Sequence, residues 1–329
     1  MSRISPTIAF DAPGRQCGFL RLPYSSHDSA YGWIPIPVVC VAGGAGPTVL
    51  LVGGNHGDEY EGQVALATLS RELDPSSLRG RVILVPSANF PAAMAGRRVS
   101  PIDDGNLNRI FPGAEGGSPT EMIAHYIETR LIPISDCVVD LHSGGSSLEY
   151  VPTVRVRANR DPDITARTLD YLRAFAAPYG CIFQPLGGED RTMAAAAERC
   201  NVPYLCAEIG GGGTIRRDSL SMTLSGVRRV LTAAGVTEGD AGAPDDTRIL
   251  SITGFENYVY AAENGLFEPL AELGESVSAG QPAGRLHFPD TPWREPSIAT
   301  FATAGRVLCR RFPSLTKRGD CLYEVGADK

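Results

Sequence analysis

Two textures along the chain predict an α/β fold, a largely parallel sheet covered by helices on both faces, followed by a small all-β domain. Up to about residue 240, short apolar β-branched runs alternate with longer amphipathic segments, the pattern of strand and crossover helix. Beyond residue 248 the helical period is gone, and short strand-like runs with tight turns replace it, as in LFEPLAELGESVSAGQPAGRLHFP. Between the two lies VTEGDAGAPDDTR at 236–248, rich in Gly, Asp, Pro and Thr, which reads as a linker. The expected organisation is therefore an α/β domain over 1–240 and a β domain over 249–329.

In chain order, the expected strands are VVCVAG (38–43), TVLLVGG (48–54), RVILVPS (81–87), CVVDLHSGG (137–145), TVRVRA (153–158) and PYLCAEIG (203–210). Each is a short β-branched run that ends in Gly, Pro or a polar residue. The expected helices are EYEGQVALATLSREL (59–73), PTEMIAHYIETRL (119–131), DPDITARTLDYLRAFAAPYG (161–180) and SLSMTLSGVRRVLTAAG (219–235), which carry apolar residues at three-and-four spacing with Asp, Ser or Pro near several starts. Ligands of such sheets gather at the carboxyl ends of the strands.

Composition narrows the function. The 329 residues are enough for a sizeable core, and 43% hydrophobic with 20% charged residues is ordinary for a globular protein. A formal net charge of −7 leaves no basic face for a phosphate backbone, so nucleic acid is not an expected partner. No run approaches the ~20 apolar residues of a membrane span, and MSRISPTIAFDAPG has no apolar segment of signal-peptide length, so the expected location is the cytoplasm. The eight cysteines form no Cys-x-x-Cys pair and read as reduced, mostly buried thiols.

Four segments carry chemistry. GGNHGDEYEG at 53–62 puts His56 and Glu59 three apart where a buried strand turns into a helix beginning near Asp58; imidazole nitrogen and carboxylate oxygen together suit zinc. A polar turn whose acids face the helix N-terminus would look the same. Here Asp58 is expected to cap the helix or support the ligands, and Glu61 to face solvent. CVVDLHSGG delivers His142 at a second strand end, completing the three protein ligands usual for a catalytic zinc. PYLCAEIGGGG places Glu208 at a third, where a carboxylate can take a proton from water and pass it to a leaving amine. GRRVSPIDDGNLNRIFPG at 96–113 offers Asn108 and Arg109 as a clamp for a carboxylate, and Arg97 or Arg98 for an oxyanion.

With these segments in this order, the chain resembles the succinylglutamate desuccinylase and aspartoacylase family, relatives of the zinc carboxypeptidases. The resemblance implies a zinc-carboxypeptidase-like fold, a mixed, mostly parallel sheet flanked by helices, with a small C-terminal all-β, barrel-sandwich-like domain capping the site. It implies one zinc ion per chain held by His56, Glu59 and His142, Glu208 as general acid/base, and Asn108 with Arg109 on the substrate carboxylate. Arg98 takes the role of polarising the scissile carbonyl, with Arg97 adjacent. EPLAELGESVSAGQPAGRL looks like a lipoyl-type barrel-sandwich segment without a lysine for attachment. The stretch GFLRLPYSSHDSAYGWIPIPVVCVAGGAGPTVLLVGGNHGDEYEG at 18–62 looks closer to one branch, the N-alpha-acetyl-L-2,4-diaminobutyrate deacetylases of ectoine degradation; for such a cationic substrate Asp103, Asp104 or Glu149 are the candidate partners.

The expected activity is zinc-dependent hydrolysis of the amide bond of a small N-acyl amino acid, which the branch resemblance narrows to deacetylation of N-alpha-acetyl-L-2,4-diaminobutyrate to acetate and diaminobutyrate, with desuccinylase, aspartoacylase or carboxypeptidase activity on another substrate as alternatives within the enzymes. A metal-binding regulatory protein is the alternative outside them. A serine hydrolase lacks its Gly-x-Ser-x-Gly elbow. A homo-oligomer is left open, and His27, His125 and His287 read as structural or surface residues.

Overall fold

The fold, a computed structural model, describes residues 3–157, 159, 161–184, 186–239 and 247–328. Most of the linker expected over 236–248 lies outside the described residues. The strands before it are β1 (Ser5–Pro6), β2 (Gly14–Pro23), β3 (Trp33–Ala42), β4 (Thr48–Gly53), β5 (Arg81–Val85), β6 (Cys137–His142), β7 (Leu148–Arg157), β8 (Tyr179–Phe183) and β9 (Tyr204–Gly211). The helices are α1 (Tyr60–Glu72), α2 (Phe90–Ala95), α3 (Pro119–Tyr126), α4 (Pro162–Phe175), α5 (Met193–Arg199) and α6 (Arg217–Ala233). After the linker come β10 (Arg248–Ile252), β11 (Tyr258–Tyr260), β12 (Gly265–Pro269), β13 (Ser276–Val277), β14 (Pro282–His287), β15 (Ser297–Thr300), β16 (Gly305–Arg311), β17 (Leu315–Thr316) and β18 (Cys321–Asp328), with no α-helix among the described residues.

The large sheet runs β1-β2-β3-β5-β4-β6-β9-β7-β8-β10-β18-β16-β13, with β11 also on β18. Its centre, β5-β4-β6-β9, is parallel, and β8 lies parallel to β7 and β10; the other pairings are antiparallel. The sheet is mixed, as expected, but parallel pairings are its minority, five against nine antiparallel ones among the described residues, so the expectation that it is mostly parallel is corrected. Parallel neighbours need a crossover long enough to hold a helix, and strands joined by short turns, such as β2 and β3, must run antiparallel.

Period-two alternation divides the central strands between two cores. Leu50, Val52, Ile83, Val85 and Val138 face α3 and α5, whereas Val49, Leu51, Val82, Leu84 and Val139 face α1, α4 and α6. Burial on both faces is why the central strands read as unbroken apolar runs. Differences from the expected elements have local causes. Pro178 bars continuation of α4, which closes on Ala176 in a left-handed conformation (φ 63°), and Tyr179–Phe183 turns out as strand. The segment 119–131 is α-helical only to Tyr126 and then widens into a π turn ahead of Pro133.

The C-terminal strands have their own core around Phe267, Phe301 and Tyr323, and β15-β14-β12-β17 form a separate sheet. They are also stitched into the large sheet: β10 pairs with β8, and β16 pairs with β7 through Cys309 opposite Tyr150 and Arg311 opposite Leu148.

One close approach positions the site. α1 buries Leu66 and Leu69 completely, at about 1.5–3 kcal/mol each. It lies so near β6 that a Cβ on Gly62 would fall 2.6 Å from Leu141 Cβ and 2.8 Å from its carbonyl oxygen. Helix propensity alone favours Gly62→Ala by about 1 kcal/mol. The contact with backbone reverses that sign, and Gly62→Ala is expected to destabilise the protein by about 1–3 kcal/mol in urea unfolding.

Candidate metal centre

Three strand ends meet here. β4, β6 and β9 are adjacent and parallel, so the turn after β4, the end of β6 at His142 and the end of β9 emerge on one rim of the sheet. Register places His142 beside Glu208 and Asp140 beside Cys206, so all four side chains share a face.

The turn after β4 is shaped by glycine. Gly54 has φ 64°, and Gly57 approaches α2 so closely that a Cβ would sit 2.0 Å from the Ala92 carbonyl. Glu59 is the residue before α1, extended at φ −104° and ψ 101°, and its carboxylate makes no cap bond. It turns instead toward the histidines: His56 Nδ1 is 2.7 Å from Oε1, and His142 Nδ1 is 2.7 Å from Oε2. All three residues are at most 4% exposed, and one ligand atom from each lies within 4.8 Å of the others.

The far side of each ring is fixed. His56 Nε2 lies 3.2 Å from Asn106 Oδ1, an oxygen that also accepts the Asn108 N–H at 3.1 Å. His142 Nε2 lies 2.9 Å from Asp140 Oδ2, which also accepts from the Tyr204 hydroxyl at 2.8 Å and Asn55 Nδ2 at 3.2 Å. Both Nε2 atoms therefore carry hydrogen, and in the neutral tautomer both Nδ1 lone pairs point at Glu59. Burial works against a charged His142 ring, but Asp140 and Glu59 outweigh it and raise its pKa well above the usual imidazole range. Burial likewise opposes ionisation of Glu59, and the two histidines overcome it, holding the carboxyl below the usual range. Lone pairs of two imidazoles and a carboxylate, converging on one point that draws positive charge, fit a divalent metal of the zinc type.

Of the other acids of the turn, Asp58 fits the second of its two expected roles, support of the cluster, and Glu61 departs from its expected one. Asp58 does not cap α1; its Oδ2 accepts from Ser146 N at 2.8 Å and Ser146 Oγ at 2.7 Å, fastening the loop after His142. Glu61 does not face solvent. It is 1% exposed, burial pushes its carboxyl up, and Oε1 lies 3.3 Å from the Gly211 N–H at the end of β9. Gly210 (φ 81°) makes this possible, since a Cβ there would meet Glu61 Oε1 at 2.3 Å.

Around the cluster, Arg98 Nη1 lies 3.4 Å from both Glu59 Oε1 and His56 Nδ1, with 44% of its side chain exposed. Arg97 is exposed, and its carbonyl accepts the Gly57 N–H at 2.9 Å. Asn108 Nδ2 is 3.5 Å from His142 Nε2, while its Oδ1 accepts the Met193 N–H at the start of α5. Arg109 bonds the Asn108 carbonyl through Nη1 and lies in the field of Arg98 and Glu208. Glu208 is only partly buried by its surface, yet it is enclosed enough that burial, set against Arg155 and His142, pushes its carboxyl up to about 7.

The candidate partners for a substrate cation have other contacts. Asp103 accepts from Thr120 N and Oγ1 at the start of α3, Asp104 is exposed, and Glu149 is ion-paired with Arg216. His287 pairs with Glu268 at the surface, and all eight cysteines are free. Asn106, Asp140, Asn55 and Tyr204 are site residues that the sequence reading missed. Only Asp140 leaves a local trace, two residues before His142 on the same face of β6.

Residues 45–234 match the family model for the succinylglutamate desuccinylase/aspartoacylase catalytic domain. The chain is 42% identical to the N-alpha-acetyl-L-2,4-diaminobutyric acid deacetylase of Halomonas elongata over 325 residues, 98% of this chain and 95% of that protein. Among solved structures it is similar to the product-bound ectoine utilization protein EutE (DoeB) of Ruegeria pomeroyi, with TM-score 0.96, 40% identity and 99% of each chain covered. It is also similar to a succinylglutamate desuccinylase/aspartoacylase of Rhodobacter sphaeroides, with TM-score 0.94, 37% identity, and 100% of this chain and 99% of that one covered.

Removing the carboxylate behind His142 releases the ring without touching a ligand. Asp140→Asn is expected to weaken the affinity of the site for an added divalent metal about 10–100-fold, measured by competition with a chromogenic chelator.

Proposed function

We propose a function from the premise that this chain belongs to the succinylglutamate desuccinylase/aspartoacylase family: it is an amide hydrolase that deacetylates N-alpha-acetyl-L-2,4-diaminobutyrate to acetate and L-2,4-diaminobutyrate, in the degradation of ectoine. The observation that carries this reading is the likeness, along nearly the whole chain, to a relative named for that deacetylation. The His56–Glu59–His142 cluster supports it chemically.

In this reading one zinc ion per chain is held by His56, Glu59 and His142, and when bound it supplies Lewis acidity toward the acyl carbonyl and a lowered pKa for water. Glu208 takes the proton of the attacking water at its carboxylate and hands it to the departing amine nitrogen. A carboxyl poised at about 7 is suited to both transfers at neutral pH. Arg98, whose guanidinium borders the ligands, donates to the oxyanion that develops on the attacked carbonyl. Asn108 and Arg109 hold the substrate carboxylate, Arg109 through the paired donors of its guanidinium, and so orient the amide.

The fold is read as zinc-carboxypeptidase-like, with residues 249–329 as a β domain capping the site. The pairing of β16 with β7, just beyond the loop that follows His142, supports that position for the cap. Among the described residues no helix is long and apolar enough to cross a membrane. The enzyme is placed in the cytoplasm, acting on a small-molecule N-acyl amino acid.

Chelation is expected to abolish turnover of N-alpha-acetyl-L-2,4-diaminobutyrate, and added zinc to restore it. A chelated protein that keeps its full rate would refute the metal-dependent reading. Glu208→Gln should lower kcat about 10²–10⁴-fold with zinc retained, read from initial rates and metal analysis. Because Glu208 must begin as the carboxylate, and burial raises its pKa, kcat/KM should rise with pH as Glu208 ionises and then level off, and the part of that limb due to Glu208 should be lost in Glu208→Gln.

A further inference from the structure

Glu208 shares its face of the sheet with a buried cation that the reaction does not use. β7 runs antiparallel to β9, with Thr153 opposite Glu208 and Arg155 opposite Cys206. Arg155 and Glu208 are thus diagonal neighbours on one face, a separation that long side chains span. The Arg155 guanidinium is turned the other way, toward the C-terminal strands. Its Nη2 pairs with Glu324 Oε2 on β18, and its Cζ lies 5.1 Å from the Tyr150 ring centroid. Glu324 is 1% exposed, and its second oxygen, Oε1, accepts the Tyr258 hydroxyl of β11 at 2.8 Å.

Two observations indicate where Arg155 would go if Glu324 did not hold it. Its Nε–H is buried without a hydrogen-bond partner among the described residues, so the guanidinium has a donor to spare. After Glu324, the carboxylate that bears most strongly on Arg155 is Glu208. A buried guanidinium left unpaired is strongly unfavourable and takes the acceptor within reach. A charge-assisted fork on Glu208 would occupy the oxygen lone pairs that water and the leaving amine must use.

We propose that Glu324 is a positioning residue for turnover: it holds the Arg155 guanidinium against the C-terminal strands and so leaves the oxygens of Glu208 free for proton transfer. The inference rests on the reading of Glu208 as the acid/base. It brings the C-terminal segment into the reaction through a side chain that touches no substrate, with the Tyr258 hydroxyl fixing the carboxylate that does the holding.

A double-mutant cycle on the zinc-loaded enzyme tests it, with kcat, KM and thermal midpoint measured for wild type, Glu324→Gln, Arg155→Met and the double variant. Glu324→Gln is expected to lower kcat about tenfold or more with KM within about twofold. Adding Arg155→Met is expected to return kcat to within about threefold of wild type, because the misplaced cation is gone. A double variant that stays as slow as Glu324→Gln, or slower, overturns the proposal, since a purely structural pair would give no recovery. Should Glu324→Gln fail to fold, Tyr258→Phe takes its place; its kcat must fall and be relieved by Arg155→Met, and the absence of either effect overturns the proposal. Glu208→Gln separates the two levels. If it keeps wild-type kcat, the acid/base reading fails; if it is inactive while the double variant stays slow, the positioning role alone fails.

Discussion

The structure depends on one electrostatic constraint: two imidazole nitrogens and a carboxylate face one another at 2.7 Å in a buried site. Each ring is turned so that its hydrogen-bearing nitrogen is spent on a fixed acceptor behind it, which leaves electron pairs in front. Such a convergence is favourable only around positive charge. The surrounding chain makes it rigid. Tyr204 and Asn55 hold Asp140, Asp140 holds His142, and Asn106 holds His56, so the donor set is specified two residues deep.

The same constraint explains the glycines. The three side chains of the cluster, carried on the ends of β4 and β6, can meet only if α1 lies against β6 and the turn after β4 lies against α2, and the missing Cβ atoms of Gly62 and Gly57 are what permit those approaches. Gly210 gives room to the Glu61 carboxylate, which secures the end of β9 just past Glu208. The acids at 58, 59 and 61 are adjacent in sequence and bind three separate things: the loop after His142, the histidines themselves and the end of β9.

What could be read from the sequence follows from the range of each interaction. The central strands were legible because burial on both faces leaves unbroken apolar runs, and the His56–Glu59–His142 cluster because its members sit at strand ends of recognisable composition. β2 was missed: its burial alternates and half of it is exposed, so it carries no apolar run. β8 was absorbed into the helical segment before it, since only Pro178 marks the break. Glu61 was misjudged because its partner, Gly211, is 150 residues away. The pairing of Arg155 with Glu324 spans 169 residues and leaves no local pattern at either end. Parallel pairing is less frequent than expected because β3–β5 and β7–β9 run antiparallel, as do the β2–β3 hairpin and the C-terminal pairings, and only tertiary structure decides those partners.

The identity of the ligands is the central claim, and X-ray absorption spectroscopy of the zinc-loaded protein addresses it most directly. The expected spectrum has light-atom scattering at about 2.0–2.2 Å with the multiple-scattering signature of two imidazoles, falling to one in His142→Ala. A shell at about 2.3 Å, diagnostic of sulfur, or two imidazoles persisting in His142→Ala, would contradict it.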